Sequence, residues 1–307
     1  MFVLKPDQYL IPEYKISPFR TTDISFNHKI PDDNFADEYF MQRFGAGRYY
    51  YTLNGREALS MALINYNLKR NDIVTILTTT GNFYISSCVT NEIKKFCNWS
   101  RKIERKTKVI LVNHEFGFPF KELHELKKYN LPIIEDCAHS FFLSEIFPEI
   151  GTISDFIIYS FPKMFPLQIG GMLVSNLTNS VAIECTIDKM ELRYIKNNLS
   201  FYVKSEEDII KRRILNYNYL KDKFELLGLK ERFPLEPGTV PGVFMFIAEQ
   251  QYIDLPELKK YFYEHGIQCS VFYGEEAFFI PVHQALNEQD LDYFFEVMKA
   301  YIKKYSV

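Results

Sequence analysis

Three short stretches of the sequence carry side chains suited to acid, base and amine chemistry. Asp136 and His139 come directly after one apolar run of residues. Ser160 and Lys163 come directly after the next apolar run. Gly55 stands where a helical pattern of apolar residues begins. The carboxyl ends of strands in a buried parallel sheet meet the starts of helices at one edge. We therefore expect a carboxylate, an imidazole, a hydroxyl, an amine and a helix N-terminus to share one crevice.

These groups match the needs of one cofactor, pyridoxal phosphate (PLP). The Asp136 carboxylate could keep the pyridine nitrogen protonated, and the Lys163 amine could form a Schiff base. Backbone N–H groups at a helix start such as Gly55 could bind the phosphate. A metal is not expected, because the histidines show neither the i, i+4 pairing nor the cysteine spacing of a zinc site. The sequence also lacks a phosphate-binding loop of the Gly-x-x-x-x-Gly-Lys type.

The elements that would position these groups alternate between strand and helix patterns. Unbroken apolar runs, typical of strands buried on both faces, occur at residues 73–77, 108–112, 132–135, 155–159 and 170–174. Helical patterns, among them those at residues 84–96 and 121–129, separate these runs. The sequence therefore predicts an α/β large domain with a core at residues 45–180 and a mostly parallel sheet. From residue 206 onward, charged helices and short strands predict a smaller α+β domain. We place the domains at residues 1–200, with the N-terminal segment packing on the larger one, and 201–307.

Composition argues against several other classes of protein. The formal net charge is -3, and the basic cluster at residues 101–108 is interrupted by apolar and acidic residues, so nucleic acid is not an expected partner. The 5 cysteines are widely spaced and lack a Cys-x-x-Cys pair, which favours a reducing cytoplasm over a disulfide framework. No apolar run approaches the ~18 residues that span a bilayer. We therefore expect a soluble, cytoplasmic protein without a membrane partner.

The order of four motifs resembles that of the DegT/DnrJ/StrS family of PLP-dependent sugar-nucleotide aminotransferases, a branch of the aspartate aminotransferase fold (fold type I). The motifs lie at residues 54–59, 114–119, 134–140 and 160–171. The run EDCAH, followed by SFPK and then by a glycine pair, is the most specific of them. The resemblance covers residues 44–176 and thins in the C-terminal part. It implies a PLP-binding large domain and a smaller C-terminal domain.

The resemblance assigns roles to the residues that would hold the reactive part of the cofactor. Lys163 would form the Schiff base with PLP, and Asp136 would pair with the pyridinium nitrogen. His139 occupies the family's Gln-or-His position near the phenolic oxygen of the ring. Lys163 is also implied to be the base that moves the proton during the reaction.

The resemblance also assigns the phosphate and the ring face. Ser160 and the backbone of Gly55 and Arg56 would bind the phosphate. Phe83 or Tyr84 would cover the face of the ring, and Phe83 is favoured.

The implied reaction is a two-stage transamination. An amino acid, glutamate being favoured, would supply the amino group, and a keto-sugar nucleotide would receive it in the synthesis of surface polysaccharides. Sites in this family form across a two-fold axis, so we expect a homodimer.

Two other interpretations of the sequence stay open. The chain could be a PLP-dependent sugar dehydratase or another PLP enzyme, although a histidine replaces the lysine in the family's dehydratases and Lys163 is present here. It could also be an inactive homologue that acts as a binding subunit, because the family's "DID" and "GYNYRM" segments are missing. Asp136 could simply cap a helix, and His139 could be a core histidine.

Overall fold

Two β-sheets, each flanked by helices, organise the chain. The computed structural model describes residues 12–143, 147, 149–178, 182, 187–250 and 253–305. The strands of the larger sheet are β1 (Tyr49–Thr52), β2 (Ile73–Thr78), β3 (Asn98–Ser100), β4 (Thr107–Asn113), β5 (Ile133–Asp136), β6 (Phe156–Ser160) and β7 (Gly171–Ser175). They lie in the order β1-β7-β6-β5-β4-β2-β3. Strands β6, β5, β4, β2 and β3 are parallel, and β7 is antiparallel to both of its neighbours. The predicted mostly parallel sheet is confirmed.

The larger sheet and the helices that precede residue 203 form the large lobe. These helices are α1 (Asp23–Asn27), α2 (Phe35–Phe44), α3 (Gly55–Ile64), α4 (Ser87–Ile93) and α5 (Lys189–Tyr202). Helix α3 begins at Gly55 because the side chain of Asn54 accepts hydrogen bonds from the N–H groups of Arg56 and Glu57. Its buried face, which includes Leu59 and Leu63, packs against the sheet. The start of α3 is thereby fixed beside the carboxyl ends of the parallel strands.

The smaller sheet and the remaining helices form the small lobe. Its elements are α6 (Glu206–Glu225), β8 (Val243–Ile247), α7 (Leu255–Glu264), β9 (Ser270–Val271), β10 (Ala277–Pro281) and α8 (Glu288–Tyr305). The strands pair antiparallel in the order β8-β10-β9. Successive turns of the helices supply buried apolar side chains, such as Phe262 and Phe294, to one aromatic-rich core.

Residues 14–16 lie against the small lobe, whereas the sequence predicts that the N-terminal segment packs on the large domain, as helix α2 does. The N–H of Tyr14 donates to the carbonyl of Gly266 at 3.0 Å, and the N–H of Ile16 donates to Oε1 of Gln268 at 2.7 Å. Ile16 is buried in the small-lobe core. The segment packs there because it pairs with the chain beside Ile267 and covers apolar side chains that water would otherwise reach.

Two helices differ from their predicted form. The helix predicted at residues 84–96 begins at Ser87, because Oγ of Ser86 accepts the N–H of Cys88 at 3.3 Å and caps the first turn. The segment predicted as a helix at residues 121–129 is a 3-10 helix, Leu123–Tyr129.

Two further expectations concern the state of the cysteines and the presence of a membrane-spanning helix. Cys88, Cys97, Cys137 and Cys269 are free thiols, and Cys185 lies outside the described residues. Within the described ranges, no helix combines the length and the apolar character that crossing a membrane requires.

Candidate active site

A cavity of about 730 Å³ lies between the two lobes, at the carboxyl ends of β4, β5 and β6. Seven of the eight residues singled out in the sequence line it: Gly55, Arg56, Tyr84, Asp136, His139, Ser160 and Lys163. The eighth, Phe83, does not. The convergence follows from the topology, because parallel strands end at the same edge of the sheet.

Lys163 ends a single 3-10 turn, Phe161–Lys163, that follows β6. Pro162 stands at the beginning of this turn and suits it, because its ring fixes a helical φ angle. Burial lowers the pKa of the Lys163 ammonium, and the nearby Cys88 and Asp136 oppose that shift. Lys163 is therefore an amine that loses its proton more readily than an exposed lysine does.

Asp136 is the last residue of β5 and is buried. Its Oδ1 accepts the N–H of Ala138 at 3.0 Å, and its Oδ2 accepts Nδ2 of Asn113 at 2.9 Å. Burial raises the pKa of Asp136, while these hydrogen bonds and the charge of Lys163 lower it. The net shift is upward because burial disfavours the charged carboxylate, and a cation placed beside it would offset that cost.

His139 lines the cavity with its ring edge against Phe116, at 5.2 Å between ring centroids. Burial, and then the charges of Lys163 and Arg213, lower its pKa well below the ordinary value, so its imidazole is neutral. Among the described residues, its buried Nδ1 has no hydrogen-bond partner. This nitrogen lies beside Gly242, where a methyl group would stand 3.3 Å from it, and it is closed to solvent.

Gly55 and Ser160 lie side by side where α3 begins and β6 ends. A methyl group on Gly55 would stand 3.2 Å from Cβ of Ser160 and 3.7 Å from its hydroxyl. A methyl group on Gly171 would stand only 2.6 Å from the backbone carbon of Asn54. The N–H of Arg56 already donates to Oδ1 of Asn54 at 3.0 Å. The helix start, the Gly55 backbone and the Ser160 hydroxyl therefore form a close-packed cradle for an anion, in which the Arg56 amide is shared with Asn54.

The two aromatic candidates for the ring face differ in position. Tyr84 is half-buried in the cavity wall, where its ring lies 5.4 Å from that of Phe272. Phe83 is 66% exposed, and the guanidinium of Arg101 lies over its ring. The difference arises because the N–H of Tyr84 donates to Oδ1 of Asn82 at 2.6 Å, in a turn that directs the two rings apart.

Several residues of the cavity were not anticipated from the sequence. Asn113 ends β4 beside Asp136, and the rule that picked out Asp136 and Ser160 would have found it. Other residues of this wall come from the N-terminal segment and the small lobe, including Lys15, Lys259, Gln268 and Ser270. No local pattern connects them to the motifs at residues 134–171, because the fold alone brings them there.

A buried pair lies behind Asp136 on the other face of the sheet. Nε2 of His114 and Oε2 of Glu135 are 3.0 Å apart, and both side chains are fully buried. The N–H of Phe120 donates to Nδ1 of His114, and the N–H of Gly151 donates to Oε1 of Glu135. Together with Cys137, these side chains bring possible metal-ligand atoms within 4.8 Å of one another. The hydrogen bonds already occupy both ring nitrogens of His114, so we interpret the group as a hydrogen-bonded pair.

The arrangement fits PLP. The buried carboxylate of Asp136 matches the cationic pyridinium, and the imidazole of His139 on the cavity wall matches a ring oxygen. The cradle beside Gly55 matches the phosphate, and Lys163 supplies an amine with a lowered pKa. The residues therefore present a complementary group to each polar part of the cofactor.

Comparisons with known proteins agree with this fit. A family model for PLP-dependent aminotransferases matches residues 45–236. GDP-perosamine synthase from Escherichia coli O157:H7 is 32% identical in an alignment of 146 residues that covers 40% of this chain and only 39% of that protein. The aminotransferase TlmJ from Streptoalloteichus hindustanus has a TM-score of 0.74 at 14% identity, covering 97% of this chain and 100% of that one. A DegT DnrJ EryC1 StrS aminotransferase from Brucella abortus has a TM-score of 0.68 at 14% identity, covering 91% and 93%. The structural likenesses confirm the predicted fold.

Proposed function

The chain belongs to the family of PLP-dependent aminotransferases, and from that membership we propose that it transfers an amino group from an amino acid, expected to be glutamate, to a keto-sugar nucleotide. The observation that carries the proposal is the meeting of Lys163, Asp136 and the start of α3 in one cavity. The relative named GDP-perosamine synthase supports a sugar nucleotide as the substrate class.

The proposed roles follow from the chemistry of each side chain. When bound, PLP supplies an electron sink for the bonds at the carbon that carries the amino group. Lys163 would hold the cofactor covalently and, once released, would carry the proton on Nζ between substrate and cofactor carbons. The lowered pKa of Lys163 supports this role, because a base must be unprotonated to accept a proton. The Asp136 carboxylate would keep the pyridine nitrogen protonated.

The remaining contacts would orient the cofactor. Ser160 and the backbone of Gly55 and Arg56 would hold the phosphate, and His139 would face the phenolic oxygen. Of the two aromatic candidates, the position of Tyr84 in the cavity wall favours it as the cover of the ring face.

The substrate side of the cavity is basic and polar. Lys15 and Lys259 line it together with Gln268 and Ser270. Ammonium groups attract phosphates, and amide and hydroxyl groups can bond to sugar hydroxyls, so this wall suits a nucleotide-linked sugar. A cytoplasmic homodimer that serves surface-polysaccharide synthesis completes the proposal.

One observation favours a second candidate, an inactive homologue. Asn54 accepts hydrogen bonds from the N–H groups of Arg56 and Glu57, which reduces the donors available to a phosphate at the start of α3. Lys163 and Asp136 favour the enzyme, because a binding subunit would need neither side chain.

The absorbance of the purified protein between ~300 and ~500 nm tests the proposal. With added PLP we expect a band near ~410–430 nm that gives way to one near ~330 nm when glutamate is supplied, as cofactor-borne chemistry requires. The Lys163→Ala variant should lack the first band, and Lys189→Ala, a change at an exposed lysine, should keep it. Wild-type protein without a Lys163-dependent band would leave the binding subunit as the better account.

A further inference from the structure

Arg213 is a fully buried arginine on the apolar face of α6. It lies between Ile209 and Tyr217, which are buried on the same face one turn away on either side. Among the described residues, no carboxylate forms an ion pair with its guanidinium. Burial lowers its pKa to about 9. A buried cation without an opposite charge is costly, so its retention calls for a specific gain.

The hydrogen bonds of Arg213 all go to neutral acceptors, and two of these belong to the Lys163 segment. Nη2 donates to the carbonyl of Lys163 at 3.0 Å and lies 3.5 Å from the carbonyl of Met164. Nη1 donates to the carbonyl of Pro241 at 3.1 Å, and Nε donates to Oε1 of Gln284 at 2.9 Å. Gln284 in turn donates to the carbonyl of Met164 at 2.7 Å. A planar guanidinium from the small lobe thus holds the backbone on which the candidate cofactor lysine stands.

The same side chain influences the imidazole on the cavity wall. The charge of Arg213 lowers the pKa of His139, after burial and the charge of Lys163. The charges of Arg213 and Lys163 therefore both act on this imidazole.

We propose that Arg213 is a positioning residue, which fixes the backbone of Lys163 so that its amine meets the cofactor in the reactive orientation. This inference rests on the proposed function, because it takes Lys163 as the point of attachment. Through Arg213 and Gln284, helix α6 and the loop at Gln284 would then affect the reaction without contacting the substrate.

The first test follows the rate at which the Lys163-dependent absorbance band forms after PLP is added. We expect Arg213→Met to slow this rate by about tenfold or more and to lower kcat with little change in KM, since a misplaced reactive group can cost about a hundredfold. Arg212→Met removes the exposed neighbouring arginine and should leave the rate within about twofold, as is usual for surface changes. Guanidinium ions should partly restore the rate of an Arg213→Ala variant. Wild-type rates in the Met variant would overturn the inference.

A second readout needs no cofactor. Acetic anhydride labels unprotonated amines. The acetylation rate of Lys163, measured by mass spectrometry at a series of pH values, therefore reports the pKa of that amine. Loosening the backbone should expose Lys163 to water, so we expect the labelling midpoint of Arg213→Met to move up toward the ordinary lysine value. A midpoint equal to that of the wild type would also count against the inference. If wild-type protein forms no band with PLP but the midpoint still moves, the proposed function fails while the positioning role stands.

Two milder variants cover the case in which Arg213→Met does not fold. Arg213→Lys keeps the charge but loses the planar fork, and Gln284→Leu removes the bonds to Nε of Arg213 and to Met164. Both should slow band formation and raise the labelling midpoint, each by less than Arg213→Met. Wild-type values of both measurements in both variants would overturn the inference.

Discussion

Asn113 and Asp136 stand opposite each other on the neighbouring strands β4 and β5, and Nδ2 of Asn113 donates a 2.9 Å hydrogen bond to Oδ2 of Asp136. This bond lowers the pKa of a carboxyl group whose pKa burial raises. The amide therefore helps the carboxylate to keep its charge in a dry environment.

We predict that Asn113→Leu weakens PLP binding. Without the amide the pKa of Asp136 rises further, so the carboxyl group keeps its proton to a higher pH and pairs less well with a pyridinium. Loss of a hydrogen bond to a charged group costs about 1.5–3 kcal/mol, which corresponds to roughly ten- to hundredfold in affinity. Titration with PLP at several pH values should show a defect that grows as the pH falls. An unchanged affinity across this range would show that Asn113 does not support Asp136.

We predict that Tyr84, and not Phe83, covers the face of the cofactor ring. Tyr84 lines the cavity, whereas Phe83 is exposed beneath Arg101. Ring stacking contributes about 0.5–1.5 kcal/mol beyond burial, so Tyr84→Ala should weaken PLP binding by roughly threefold or more, and Tyr84→Phe should restore it. Phe83→Ala is the matched control. Equal losses in both alanine variants, measured by fluorescence titration, would contradict the assignment.

The buried His114–Glu135 pair should stabilise the fold, and the contribution of each side chain should depend on the presence of the other. Glu135→Leu leaves the imidazole of His114 and the N–H of Gly151 without an acceptor. Each buried donor left without an acceptor typically costs about 1–3 kcal/mol, and Glu135→Leu leaves two of them. We expect urea denaturation to show a loss of about this size in Glu135→Leu, and the double variant with His114→Leu to lose less than the sum of the single changes. Additive losses would mean that the two side chains are not coupled.

The pH dependence of stability should include a component from His283. Burial, followed by the charge of Arg213, lowers the pKa of His283 from 6.5 to about 3 in the folded protein. Between these values the unfolded chain binds a proton that the folded chain does not. The free energy of unfolding should therefore fall as the pH drops through this window, by up to about 1.4 kcal/mol per pH unit. His283→Gln should remove this component, because a neutral amide can still donate to the carbonyl of Lys15.

The control for that experiment is His124→Gln, since the side chain of His124 is 51% exposed. Its stability should follow the wild-type curve through the same pH window. If the free energy of unfolding of His283→Gln also followed the wild-type pH curve, the pH dependence would belong to other groups.

The strand ends were the part of the site that the sequence could predict. Asp136 and Ser160 follow apolar runs whose parallel pairing brings them to one edge, and this pairing depends on a simple hydrophobic pattern. The choice between Phe83 and Tyr84 could not be made in the same way. It depends on the side chain of Asn82, which accepts the N–H of Tyr84 and sets the direction of the turn.

The contributions of distant segments were also beyond the sequence. Arg213 occupies an apolar position of α6, where a charged residue is unusual and can be noticed in the sequence. Its acceptors at Lys163 and Met164 are known only from the tertiary structure. The N-terminal segment around Ile16 pairs with a distant part of the chain by a few backbone bonds. Such bonds leave no periodic trace in the sequence.

The contacts from Arg213 and Gln284 to the carbonyls of Lys163 and Met164 also bear on when the proposed attachment site is complete. During translation Lys163 leaves the ribosome well before Gln284 has been synthesised. The nascent chain therefore carries an ordinary lysine, without the surroundings that lower its pKa or fix its backbone. Only when most of the polypeptide has been released can the proposed attachment residue have these surroundings, so we expect loading with the cofactor to be a late, post-translational event.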